Sequence, residues 1–154
     1  GEIGHIHVRD EETEHCNCGG VGCLEQVASA TGIAREARRK MKATDTPSAL
    51  RKFGDDVTAK DVLDEAKNGD ALALEVVETV GRYLGLVLAQ LAMTVDPQMF
   101  VIGGGVSKAG QFLIDVIDKY YRHYTPISEN KAVIGLAKLG NDAGIYGAAR
   151  LVLD

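Results

Sequence analysis

The sequence predicts a three-layer α/β fold whose sheet is parallel in its second half. Two observations carry that reading. Short apolar runs, MFVIGGGVS at residues 99–107 and AVIGLAKLG at 132–140, read as strands and alternate with helical segments. Between residues 70 and 94, Ala73, Val76, Val77, Val80, Leu84, Val87, Leu88 and Leu91 fall at spacings of three and four, the stripe of a buried helix.

In chain order, Ile6 to Val8 read as a short strand and residues 9–15 (RDEETEH) as an exposed acidic excursion. A loop holding all three cysteines follows. Residues 25–42 read as one helix, with Gly32 marking a bend and a basic second half that suits the negative end of the helix dipole. Residues 43–57 mix turn formers with charges and fit a loop or a short helical excursion. Thr58 reads as the N-cap of the next helix, with Asp61 completing a capping box. In the long helix, Gly81 and Gly85 allow another element to approach closely, and Pro97 ends the segment because it cannot join a helix ladder. The strand from Met99 runs into a glycine turn, and residues 108–124 follow as a helix. After Pro126 comes the second strand, and a small-residue helix closes the chain, with Asn141 or Asp142 as its cap.

At 154 residues the chain reads as a single domain, residues 1–154, long enough for a core of its own. Its formal net charge of -5 speaks against a nucleic-acid-binding surface. No apolar run reaches the length of a membrane span, and the start lacks the regions of a signal peptide. The expected compartment is the cytoplasm. The chain has no initiator Met and opens on residues that already read as strand and site, so a piece of a longer protein is expected.

Cys16, Cys18 and Cys23 lie within eight residues of one another, with His5, His7 and His15 close by. Their odd number, the closeness of Cys16 to Cys18 and a reducing compartment disfavour a disulfide. The polar, glycine-rich surroundings disfavour inert buried thiols. Soft thiolates gathered in one loop select zinc, and a structural zinc takes four ligands. The fourth donor is expected to be a histidine. His15 adjoins Cys16 and would strain the chelate, while on spacing alone both His5 and His7 stay open.

GEIGH (residues 1–5) and CNCGGVGCLE (16–25), with their separation, resemble the paired E-x-G-H and C-x-C-G-x-x-G-C-x-E signature of the ROK family (repressor, open reading frame, kinase) of sugar kinases and related repressors. ASATGI (28–33), VIGGGVS (101–107) and LGNDAGIYGAA (139–149) extend the likeness, toward the family's glucokinases, over nearly the whole chain. The resemblance implies an actin-like ATPase, ribonuclease H-like fold, with this chain as the C-terminal lobe of a two-lobe kinase. It implies a structural zinc in the loop 5–23, held by His5, Cys16, Cys18 and Cys23. It also implies that Glu2, His5 and Glu25 bind sugar hydroxyls, and that Gly103, Gly104 and Gly105 line the adenosine of Mg²⁺-bound ATP. Taken alone the glycine run is also the pattern of a tight turn, since neither G-K-[ST] nor G-x-G-x-x-G is present there. Thr31 reads either as a nucleotide-side contact or as a helix-packing residue.

The activity so implied is ATP-dependent phosphorylation of glucose to glucose 6-phosphate by a homo-oligomer, dimer or tetramer. The alternatives are another hexose (fructose, mannose or N-acetylmannosamine), a sugar-responsive repressor, or a zinc-stabilised interaction module without sugar chemistry. In the family, the D-x-G-G-T phosphate loop and the N-D catalytic aspartate precede E-x-G-H, and neither lies in these residues in that context. Asp142, in GND, follows the glycine run and is not given the catalytic role. No catalytic residue is therefore expected in this chain, which alone is expected to be inactive.

Overall fold

In the structure, a computed structural model that describes residues 1–104, 107, 109–127, 131–139 and 142–153, the chain begins with a single 3₁₀ turn, Ile3–His5. The strand expected at Ile6 to Val8 does not form. His7 meets Cys23 in one antiparallel bridge and His15 meets Val21 in another. The N–H groups of Val8 and Arg9 both converge on the Gly22 carbonyl, at 2.8 and 3.3 Å, so the cysteine loop closes on itself and leaves no ladder to extend. Gly22 is required there. Its φ is +73°, and a Cβ on it would lie 2.2 Å from the Arg9 carbonyl oxygen.

The helix expected over 25–42 is two helices, α1 (Glu25–Ala28) and α2 (Ala30–Ala43). The break falls at Ser29, not Gly32. Ser29 is extended (φ −75°, ψ 167°), and its hydroxyl accepts the Gly32 N–H at 3.1 Å, a capping bond that a serine can form and an interior helix residue would forgo. Gly32 serves instead for clearance, because a Cβ there would sit 2.7 Å from the Glu25 carbonyl oxygen.

A 3₁₀ segment, Ala49–Asp56, leads to α3 (Ala59–Lys67), which opens with the expected capping box of Thr58 and Asp61. Asp70 caps α4 (Ala71–Val95) through the Ala73 N–H, and also accepts from the Ser48 hydroxyl and the Ala49 N–H. The α4 stripe packs on α5 (Gln111–Tyr124), which begins after Gly110 rather than at Lys108. Gly81 and Gly85 make this seam possible: a Cβ on Gly85 would meet the Tyr120 Cβ at 2.6 Å and the Tyr121 backbone nitrogen at 2.7 Å.

The two strands, β1 (Met99–Ile102) and β2 (Val133–Leu136), pair in parallel, with Met99 opposite Val133 and Ile102 opposite Leu136. Their inner face meets α5, where Phe100 stands edge-on to the buried Tyr121 ring at 5.9 Å. Met99, Val101 and Val133 on the outer face are more than half exposed. Among the described residues the architecture is thus a helical layer on one face of a two-stranded parallel sheet. Among the described residues no helix covers the outer face, so two of the three expected layers are seen. The last helix, α6 (Ala143–Arg150), is exposed throughout, and Asp142 makes no side-chain capping bond to it. Gly105 and Asn141, assigned above to the nucleotide and to a cap, lie outside the described residues. No described helix is long and apolar enough to cross a membrane.

Candidate metal and sugar site

The loop that folds around Gly22 brings His5, Cys16, Cys18 and Cys23 together, with one donor atom from each within 4.8 Å of the others. The Cys18 and Cys23 sulfurs are 3.6 Å apart, and Cys16 Sγ lies 3.6 Å from His5 Nδ1. A tetrahedron with Zn–S bonds of about 2.3 Å and Zn–N bonds of about 2.0 Å has S···S edges of about 3.8 Å and S···N edges of about 3.5 Å. The donor set therefore fits zinc in both chemistry and spacing. His7 is turned elsewhere, with Nδ1 2.8 Å from the Val21 carbonyl and Nε2 2.8 Å from Asp10. His15 Nδ1 faces the Gly19 carbonyl at 3.2 Å.

Without a cation the three thiols do not ionise together. The Cys18 backbone N–H favours the Cys16 thiolate, but the Glu25 carboxylate, burial and the two other sulfurs outweigh it and push the Cys16 thiol up to about 12. Burial and the Cys18 sulfur raise Cys23, whereas the Gly20 N–H and the two neighbouring thiols lower Cys18. A divalent cation among them removes this conflict by stabilising every thiolate at once.

Glu25, the first residue of α1, borders the cluster: its Oε1 accepts from Cys16 Sγ at 2.8 Å and lies 3.9 Å from His5 Nδ1. Glu2 stands at the head of the same 3₁₀ turn as His5, whose N–H donates to the Glu2 carbonyl at 3.0 Å. The Glu2 side chain is exposed and makes no hydrogen bond or ion pair among the described residues. The structure thus joins His5 and Glu25 to the thiols and leaves the Glu2 carboxylate in solvent.

A cavity of about 310 Å³ lies beside Glu25, walled by Cys16, Ser29, Thr31 and Arg35. Thr31 is therefore a cavity residue on the Glu25 side. A second, largely apolar cavity of about 330 Å³ is lined by Ala30, Thr58, Ala59, Leu63 and Ala109. Ala109 belongs to the turn after β1, where Ser107 N–H donates to the Gly104 carbonyl and Gly110 N–H to the Ser107 carbonyl. Gly103 leaves β1 directly into that turn.

A family model described as "ROK family" matches residues 1–154. The chain belongs to the ROK family. It is 47% identical over 156 residues to a glucokinase of Halalkalibacterium halodurans, covering 99% of this chain and 47% of that protein. An N-acetylglucosamine repressor of Shigella flexneri is 38% identical over 118 residues, 77% of this chain and 28% of the repressor. Among solved structures, a ROK family glucokinase from Streptomyces griseus in complex with glucose and AMPPNP superposes with a TM-score of 0.85 at 35% identity, covering 97% of this chain and 50% of that one. This ROK chain spans about half the length of the curated glucokinases it matches.

One part of the site in this ROK chain runs against the sequence reading. The excursion 9–15 was expected to be exposed, yet the Glu12 side chain is 1% exposed. Its carboxylate accepts from Arg39 twice at 2.8 Å, from Arg35 at 3.2 Å, and from the Thr13 and Glu14 N–H groups. Arg9 forms a two-point pair with Glu36 at 2.7 and 3.0 Å and reaches Tyr83 of α4. The clue lay in Arg35 and Arg39, four apart and so on one face of α2, opposite an acidic run.

The Arg39 guanidinium, with the Glu14 N–H and Arg35, holds the Glu12 carboxyl down at about 2 against the cost of burial. The ionised form is thus the one the fold prefers. Its contribution is full above the unfolded value of about 4.5 and is lost as pH falls toward about 2, which amounts to about 3 kcal/mol. Urea unfolding at pH 7 should find Glu12→Gln less stable than the parent by about that amount, with the gap narrowing through this acid range. A gap that stays constant as pH drops would contradict the assignment.

Proposed function

We propose that this chain is the sugar-binding, zinc-bearing half of a ROK glucokinase, which transfers the ATP γ-phosphate to the 6-hydroxyl of glucose. The observation that carries the reading is the position of Glu25 against the His5–Cys16–Cys18–Cys23 cluster, which ties a sugar-binding carboxylate to a rigid loop. Identity to glucokinases over nearly the whole chain supports the choice of glucose.

Glu25 and Glu2 accept from sugar hydroxyls, a charge-assisted bond of about 1.5–3 kcal/mol each. His5 directs Nδ1 at the thiols, which leaves Nε2 to orient a hydroxyl. Zinc, when bound, holds the loop and ionises the thiols; four protein ligands give it no open position for chemistry on the substrate. Once Cys16 is a thiolate its S–H no longer occupies Glu25, and both carboxylate oxygens are available to the sugar. Gly103, Gly104 and Gly105 take the adenosine side of Mg²⁺-ATP, and the apolar cavity that Ala109 lines suits a flat, weakly polar base. The base that accepts the 6-hydroxyl proton and the phosphate loop belong to the rest of the protein. The protein so read is cytoplasmic and homo-oligomeric, with no nucleic-acid or membrane partner.

The test is ADP release by the intact protein with Mg²⁺-ATP and a panel of hexoses. Turnover with glucose is expected. Turnover with another hexose alone moves the substrate but keeps the site. Sugar-dependent stabilisation without turnover selects the repressor reading, which the 38% identity to an N-acetylglucosamine repressor favours as the alternative.

A further inference from the structure

The metal loop has two limbs, one carrying Cys16 and the other Cys23. Backbone bonds close it around Gly22 and within Cys16 to Gly20, where the Cys16 N–H donates to the Gly20 carbonyl at 2.7 Å. One side chain outside the loop bonds to both sides. Gln26 is buried next to Glu25; its Oε1 accepts the Cys23 N–H at 3.0 Å and its Nε2 donates to the Glu14 carbonyl at 2.9 Å. Both partners are backbone groups, one able only to donate and the other only to accept, so the amide has one permitted orientation. Glu14 lies two residues before Cys16. The Gln26 side chain therefore spans the limbs that present two of the thiols, and the Gln26 carbonyl in turn accepts from Arg35.

We propose that Gln26 is a positioning residue for the metal site, setting the separation of the Cys16 and Cys23 limbs and holding α1, with Glu25, against them. The inference rests on the zinc reading above. Groups that orient ligands from behind change metal affinity by about 10- to 100-fold when removed. No other uncharged side chain gives the same pair of bonds. Glutamate at this position keeps the acceptor for Cys23 but sets a carboxylate oxygen against the Glu14 carbonyl, and methionine keeps the shape with neither bond.

The experiment follows zinc transfer from the intact protein to excess chelator, with zinc per chain counted first. Cobalt-loaded samples report the coordination geometry through their thiolate charge-transfer and d–d bands. Gln26→Glu and Gln26→Met are each expected to release zinc about 10- to 100-fold faster than the parent and to shift the cobalt bands. Asp70→Asn is the comparison, since Asp70 clamps Ser48, Ala49 and Ala73 away from the loop and its loss weakens the fold without touching the site. If Gln26→Met does not fold, Gln26→Glu carries the test. Release no faster than from Asp70→Asn, or an unchanged cobalt spectrum, overturns the role given to Gln26. A parent protein that holds no zinc overturns the metal reading itself.

Discussion

Removing zinc from the intact protein should lower its unfolding free energy by about 4 kcal/mol, the value for a ligand held at a thousand times its dissociation constant. For a protein of about twice this chain's length that is a fall in Tm of about 6 °C. The expectation follows from the cluster's electrostatics. Metal-free, the Cys16 thiol is pushed up to about 12 and Cys23 is raised by burial, so the loop must hold protonated sulfurs at spacings that suit bonds to a shared ion. Zinc bonded to His5, Cys16, Cys18 and Cys23 at once adds to the backbone and Gln26 bonds that already close the loop. Calorimetry before and after chelation, with zinc counted per chain, measures the effect. A chelated protein that melts where the loaded one does would end the structural role for zinc.

Glu25→Gln should lower kcat/KM for glucose on the order of a hundred-fold, about 3 kcal/mol, through the loss of charge-assisted bonds to two hydroxyls. The amide has nearly the shape of the carboxylate and can still accept from the Cys16 side, so the loop should stay closed. Zinc content and the KM for ATP should both remain at parental values, because Glu25 is neither a ligand of the cluster nor part of the glycine turn. Steady-state kinetics with glucose and ATP varied in turn separates these effects. Parental kcat/KM for glucose in the variant would remove Glu25 from the sugar site.

The parts of this structure legible in the sequence are those whose cause is local. Thr58 and Asp61 form their capping box within one turn, and the α4 stripe follows from spacing alone. The gathering of the sulfurs was legible too, since Cys16, Cys18 and Cys23 lie within eight residues of chain and the structure brings them together with His5. Long-range causes were hidden. Glu12 looks like any surface carboxylate until Arg35 and Arg39, 23 and 27 residues on, are folded over it. The break at Ser29 was equally silent, since a serine can sit in a helix or cap one, and the choice depends on what Gly32 must pass. Spacing left His5 and His7 equal; in the structure, Asp10 and the Val21 carbonyl engage His7 while His5 faces the thiols.

The division at Ser29 has a consequence for how such a site tolerates change. On one unbroken helix each inserted or deleted residue would swing Glu25 by about 100° around the axis, out of reach of the loop. With the axis interrupted one residue after the four-residue α1, that torsional coupling is cut. The Glu25 turn is indexed to the cysteines by Gln26 and the Leu24 N–H to Ile6 bond, and α2 is indexed to α4 by its own packing. The bearing of Glu25 on the cysteine loop is thus set within α1 and the loop, and α2 joins it only through the Ser29 cap and the Arg35 bond to the Gln26 carbonyl.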